Sequence, residues 1–253
     1  MTADPTTIAP LLRGRLSSRA PLAVAPVEHD RAIGEERLAA YLAHELRTPL
    51  ATQRALLELT LADPLSNRAS WREVARDVLD ACLQQERLLE ACLTLARSRG
   101  GLIRRDRIDL STIAYDALGT LDLRDLECVG ELEPAVLHGD AVLVERLVAN
   151  LVSNATRYNL AGGRLEVATR TTGGQAVLVV ANTGPVIPPM ELRRLFQPFY
   201  RLEAHRPGPS CGTGLGLPIV QAIADAHHAS LTTEALSAGG LRIEVRFPAG
   251  PSL

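Results

Sequence analysis

Lysine is absent from the chain, since all 27 basic residues are arginine. A Walker-type nucleotide site needs a P-loop lysine, so that class is excluded at once. Aromatic residues make up only 3%, so a core must be assembled from Leu, Val, Ile and Ala. An excess of one charge sign is also missing, because 27 basic against 29 acidic residues leave a net charge of −2. No overall field recruits nucleic acid or an acidic membrane surface, and no nucleic-acid partner is expected. Cys82, Cys92, Cys128 and Cys211 are scattered without a C-x-x-C pair. That argues for free thiols in a cytosolic protein rather than a disulfide framework or a zinc site. The longest uncharged apolar run near the N-terminus, APLAVAPV, is far short of the roughly 20 residues a membrane span needs. A cytoplasmic location is the expectation.

What is present is an ordinary globular composition, 46% hydrophobic and 22% charged over 253 residues, enough for two modest domains. Residues 1–30 hold four prolines and no helical periodicity. They read as a disordered tail, in preference to the targeting or membrane-surface segment that Arg13, Arg15 and Arg19 suggest. Residues 31–100 read as helical. Leu38, Leu42, Leu46 and Leu50 form an i+4 row, continued by Leu57 and Leu61, on a helix from Glu35 to Leu61. ADPLSN breaks the chain, and Ser70 with Glu73 in SWRE reads as a capping box opening a second helix. Trp71, Val74, Val78, Ala81, Gln85, Leu88, Cys92 and Leu95 then form a seam at steps of three and four. One hairpin cannot bury both seams, so a homodimeric four-helix bundle is expected.

Residues 105–250 alternate strand and helix signals. GRLEVATRTTGGQAVLVVAN reads as a hairpin turning at Gly173 and Gly174, and ASLTTEALSAGGLRIEVRFP as a second hairpin. Asp140 is a good N-cap for a helix reaching Tyr158. Another helix follows the glycines at 212, 214 and 216.

One stretch of the first helix, LAHELRTPLA, has an exposed polar face and a proline. At about 100° per residue, His44 lies about 160° from both Leu42 and Leu46, so it is expected to face water if those leucines face the core. Pro49 removes the amide that would bond the Glu45 carbonyl, so a bend is expected just below the histidine. A zinc-binding H-E-x-x-H motif is excluded because position 48 is Thr. The stretch resembles the H-box of the sensor histidine kinases. The resemblance implies that His44 accepts a phosphoryl group, that Glu45 takes the proton or orients the ring, and that Thr48 positions water for dephosphorylating a partner regulator.

Further along, ANLVSNATRYN sets Asn150, Asn154 and Arg157 in an i, i+4, i+7 row beside the apolar row Val144, Val148, Leu151 and Ala155. Carboxamide oxygens suit Mg²⁺, and the arginine fork suits a phosphate oxygen. CGTGLGLPIV places glycines where backbone amides can approach phosphate at a helix N-terminus. Its last position is Leu217, so the dinucleotide fingerprint is not met.

These stretches resemble the family's N-box and G2-box. LFQPFYR resembles its F-box, beside a lid over 201–210, and VANTGPVIP its G1-box. The resemblance implies a dimerisation and phosphotransfer domain over 31–100 and a Bergerat-type α/β sandwich over 105–250. It implies ATP and Mg²⁺, with Asn154 ligating the metal and Asn150, Arg157, Tyr158, Asn182, Gly184, Gly212, Gly214 and Gly216 about the nucleotide. Two G1-box positions depart from the pattern, Asn182 for aspartate and Val186 for glycine. The carboxamide of Asn182 can accept from adenine or flip and donate to guanine, so a reduced preference for ATP over GTP is expected.

The implied activity is autophosphorylation of His44 from Mg-ATP and transfer to a response-regulator aspartate, with regulator dephosphorylation as a second activity. The alternatives are a pseudokinase or split-kinase docking partner with weak ATP binding, and an ATPase of the gyrase or serine-kinase kind. Family members carry membrane spans, a sensor and a HAMP linker ahead of the H-box. Only about 30 unpatterned residues stand there in this sequence, so a separate sensor or partner kinase joins the regulator and the homodimer as an expected partner.

Overall fold

A computed structural model describes residues 22–23, 30–99, 104–121, 125–202 and 214–249, with side chains from Leu46 onward, Gln84, Arg87 and Arg99 apart. The chain opens on a two-residue strand, β1 (Leu22–Ala23), paired antiparallel with a strand near the C-terminus. Backbone pairing thus falls inside the stretch expected to be a tail. Two long helices follow, α1 (Asp30–Ala62) and α2 (Arg68–Arg99), and α1 runs on through Pro49.

The contact between α1 and α2 differs from the leucine row read in the sequence. Leu46, Pro49, Leu56 and Thr60 are half-buried and Gln53 is buried, whereas Leu50, Leu57 and Leu61 are exposed. An i+4 row turns by about 40° per step, so Leu50 and its successors rotate off the interface, while alternating steps of three and four stay on it. Gln53 Nε2 reaches the Val78 carbonyl and Gln85 Oε1, each at 3.4 Å, and Cys82 Sγ at 3.6 Å. The cap of α2 also differs. Asn67 Oδ1 accepts from the amides of Ala69 (2.8 Å) and Ser70 (3.2 Å), and the Asn67 amide donates to Ser70 Oγ (3.3 Å). The reciprocal box is therefore Asn67 with Ser70, one turn ahead of Ser70 with Glu73.

Beyond α2 come β2 (Asp106–Asp109), α3 (Leu110–Gly119), β3 (Glu127–Leu132), β4 (Val136–Gly139) and α4 (Ala141–Arg157). They are followed by β5 (Arg164–Thr172), β6 (Gln175–Asn182), α5 (Gly216–Ala226), β7 (Ser230–Ala235) and β8 (Leu241–Phe247). The main sheet runs β1-β7-β8-β6-β5-β3, with β3 parallel to β5 and the other pairs antiparallel. β2 and β4 form a separate antiparallel pair. Gly173 and Gly174 both have positive φ (60° and 78°), as the two-residue turn between β5 and β6 requires.

Period-two alternation gives the sheet two different faces. Leu165, Val167, Leu178, Val180, Ile243 and Val245 share one buried core with the apolar side of α4 and α5. On the other face Ala168, Val177 and Val179 form a small separate cluster. Across that face run Glu166–Arg242 (3.5 Å) and Arg170–Glu244 (3.2 Å), whose aliphatic stems cover the apolar strip. The fold class thus agrees with a helical hairpin followed by an α/β sandwich. α2 is also part of the sandwich's packing, because Leu88, Ala91 and Leu95 belong to the same core as α4 and α5.

Candidate nucleotide and phosphotransfer site

α4 is set by its cap and its stripe. Asp140 accepts from the amides of Val142 (3.1 Å) and Leu143 (3.3 Å), satisfying orphan donors of the first turn. Leu143, Val144, Leu147, Val148, Leu151, Val152 and Ala155 are buried. The adjoining stripe, Arg146, Asn150, Ser153, Asn154 and Arg157, spans about 100° of the helix and lines a cavity of about 890 Å³.

The other walls come from several elements. Asn182 ends β6 and Pro185 and Ile187 follow it, Gly240 leads into β8 at Leu241, and Tyr200 and Arg201 close the F-box with Leu202 after them. Gly214 through Leu217 supply the start of α5, and Glu90 and Ala91 of α2 close one side. α5 has no side-chain cap at its N-terminus, so the first-turn amides beside the cavity suit phosphate. Gly214 has φ 71°, and a Cβ there would lie 2.8 Å from Phe199 Cα, so only glycine lets the two segments touch. There the Phe199 amide donates to the Gly214 carbonyl at 2.9 Å.

Hydrogen bonds fix which atoms face inward. Asn150 Nδ2 donates to the Arg146 carbonyl at 2.8 Å, which leaves Oδ1 near Gly216. Asn154 has no side-chain partner among the described residues, and its carboxamide lines the same wall. Two amide oxygens on one helix face suit Mg²⁺, which takes oxygen ligands and keeps several waters. Among the described residues no group of three His, Cys, Asp or Glu could hold a metal without the nucleotide.

Asn182 is buried at the end of β6, and its Nδ2 donates to the Thr183 carbonyl at 2.7 Å. A carbonyl only accepts, so the atom facing it must be nitrogen, and Oδ1 is the atom left for a ligand. A flip would set oxygen against oxygen. The flip expected from the sequence is opposed by the Thr183 carbonyl, and Oδ1 is the acceptor this orientation leaves free.

The remaining candidates divide. Arg157, Tyr158, Gly214 and Gly216 line the cavity. Gly184 sits behind the wall, where a Cβ would lie 2.8 Å from the Tyr158 carbonyl. Thr48 is exposed on α1, with its carbonyl accepting from Thr52 Oγ1 at 3.1 Å. Gly212, residues 203–210 of the expected lid, and the side chains of His44 and Glu45 lie outside the described residues. The backbone of His44 is helical, however, and register places it. Gln53 stands level with Cys82 across antiparallel helices, so His44, nine residues earlier, stands level with about residue 91 of α2. Glu90 and Ala91 line the cavity, so the nucleotide-sized space and His44 share one height on the hairpin.

Sequence reasoning missed Arg146 and Glu90. Arg146 was within reach, one turn before Asn150 on the same stripe. Glu90 was not, because only the docking of α2 on the sandwich brings it to the cavity.

Residues 35–101 match the His Kinase A (phospho-acceptor) domain. Residues 139–251 match the histidine kinase-, DNA gyrase B-, and HSP90-like ATPase family. The chain belongs to the sensor histidine kinases of two-component systems. It is 42% identical over 219 residues to sensor protein CutS of Streptomyces coelicolor, covering 85% of this chain and 53% of the relative. It is 34% identical over 233 residues to the signal transduction histidine-protein kinase/phosphatase MprB of Mycobacterium leprae, covering 86% and 44%. The chain spans about half the length of the curated relatives it matches. Its fold is similar to the Acinetobacter baumannii histidine kinase AdeS, with TM-score 0.61, 21% identity and coverage of 82% of this chain and 98% of that one.

Proposed function

We propose that the chain is an ATP-dependent protein-histidine kinase that phosphorylates its own His44 and passes the phosphoryl group to a response-regulator aspartate. The observation that carries this reading is the shared height of His44 and a cavity lined by Asn150, Asn154, Arg157 and the start of α5. In this reading Asn182 Oδ1 accepts from the adenine amino group. The first turn of α5 and Arg157 hold the phosphates. Mg²⁺, held by Asn154 with Asn150 beside it, supplies charge neutralisation on the phosphates. Glu45, next to His44, takes the proton or keeps the ring nitrogen aimed at phosphorus. A second copy of the hairpin completes the bundle, and Thr48 orients water when the regulator is dephosphorylated.

The test is incubation with γ-labelled ATP and Mg²⁺. Label that survives base and is lost in acid supports the histidine kinase. Acid-stable label means a hydroxyl acceptor, and absence of label in a folded protein supports the docking-partner alternative.

A further inference from the structure

The nucleotide cavity contains a carboxylate. Among the described residues that line it, Glu90 is the one acid, and Arg146, Arg157 and Arg201 are the bases. Glu90 Oε2 lies 3.1 Å from Arg146 Nη2, joining α2 of the hairpin to α4 of the sandwich. Arg146 Nε is buried without a partner. The Arg146 guanidinium thus holds a carboxylate through one nitrogen, while a second donor stays unused. Its position is the first of the stripe that continues through Asn150, Asn154 and Arg157.

We infer that Arg146 is a phosphate-binding residue whose place is kept by Glu90, so that nucleotide binding and docking of α2 on the sandwich oppose each other. A guanidinium prefers a forked bond to a phosphate over a single bond to a carboxylate. The polyanion also repels Glu90. The pair is partly exposed, 36% at Arg146 and 61% at Glu90, so it is weak enough to be exchanged. Linkage makes the opposition reciprocal, because whatever frees α2 strengthens nucleotide binding by the same factor. This inference rests on the ATP-binding reading above.

The test titrates ADP and a non-hydrolysable ATP analogue, each with Mg²⁺, into the full chain and two variants by calorimetry. Glu90→Gln should tighten binding about two- to fivefold, the range of an exposed ion pair. Arg146→Gln should weaken it about tenfold, with more loss for the triphosphate. Opposite signs are the discriminating result, since a plain domain clasp is broken equally by both substitutions. Shifts of the same sign, or no shift with Glu90→Gln, overturn the inference and leave the kinase reading intact. Failure of the unmodified chain to bind either nucleotide overturns both. Should Arg146→Gln not fold, Arg146→Lys replaces it, and unweakened binding in that variant also overturns the inference.

Discussion

Asn182 shows how one backbone carbonyl bears on a specificity question that the sequence leaves open. With Nδ2 held by Thr183, ATP should be preferred to GTP, and competition between the two nucleotides should show it. Equal binding would contradict the fixed orientation. Asn182→Asp sets a carboxylate oxygen against the Thr183 carbonyl at a buried position, so unfolding should become easier by about 1–2 kcal/mol. Denaturant titration measures this.

His227 is a second residue whose state is forced. It is buried, its Nδ1 donates to the Ile223 carbonyl (2.8 Å) and its Nε2 accepts from the Asp140 amide (3.1 Å). It thereby ties the end of α5 to the start of α4, and its edge meets Phe247 at 5.8 Å between centroids. Burial lowers its pKa below the ordinary 6.5, outweighing the opposing pull of the Ile223 bond and Asp140. The unfolded chain then binds the proton more readily than the folded one. This contribution to stability is present above pH 6.5 and is lost as pH falls toward the lowered folded value. Unfolding free energy should therefore drop from pH 7.5 to 5.5 more steeply in the natural chain than in His227→Gln, and equal slopes would contradict the neutral, buried state.

At the scale of elements, patterning was legible where one strong period met one partner. α4, α5 and both hairpins follow from caps, glycines and alternation that lie within a few residues of each other. The strand–helix run from β2 to β4 was not read individually, because β2 and β4 have four residues each and leave little room for a period. Asp109 organises that run from the side. Its Oδ1 takes the amides of Ser111 and Ala135, each at 3.0 Å. Burial would raise its carboxyl pKa, but these bonds, the Ser111 hydroxyl and the charge of Arg107 outweigh it and lower the value. The start of α2 was misread by one turn because Ser70 and Asn67 are both good caps, and only the turn geometry chooses. Asn67→Ala should cost about 1 kcal/mol and Ser70→Ala distinctly less. Thermal unfolding of the two variants compares them, and the reverse order would restore the Ser70 box.

At the scale of the molecule, the surface left over differs from the one expected. The seam from Trp71 to Leu95 is filled within the chain, first by α1 and then by α5. Exposed instead are Leu50, Leu57 and Leu61, within about 40° on α1, and Leu79, Leu83 and Leu93, within about 80° on α2. A contiguous apolar strip of that length fits a second copy of the hairpin. Sedimentation of the full chain should give a dimer at micromolar concentration. Leu79→Glu with Leu83→Glu should weaken it about a hundredfold or more, at roughly 1.5–3 kcal/mol per buried leucine. A natural chain that sediments as a monomer would contradict the bundle.

The identity of the phosphorylated residue tests the whole arrangement most directly. After incubation with Mg-ATP and digestion at mildly basic pH, mass spectrometry should place the phosphate on His44, with none on His44→Gln and little on Asn154→Asp. His138 and His228 are exposed, so both could take label from a nucleotide without the hairpin's help. Phosphate on either of them, or on a hydroxyl, would contradict the reading that rests on the shared height of the cavity and His44.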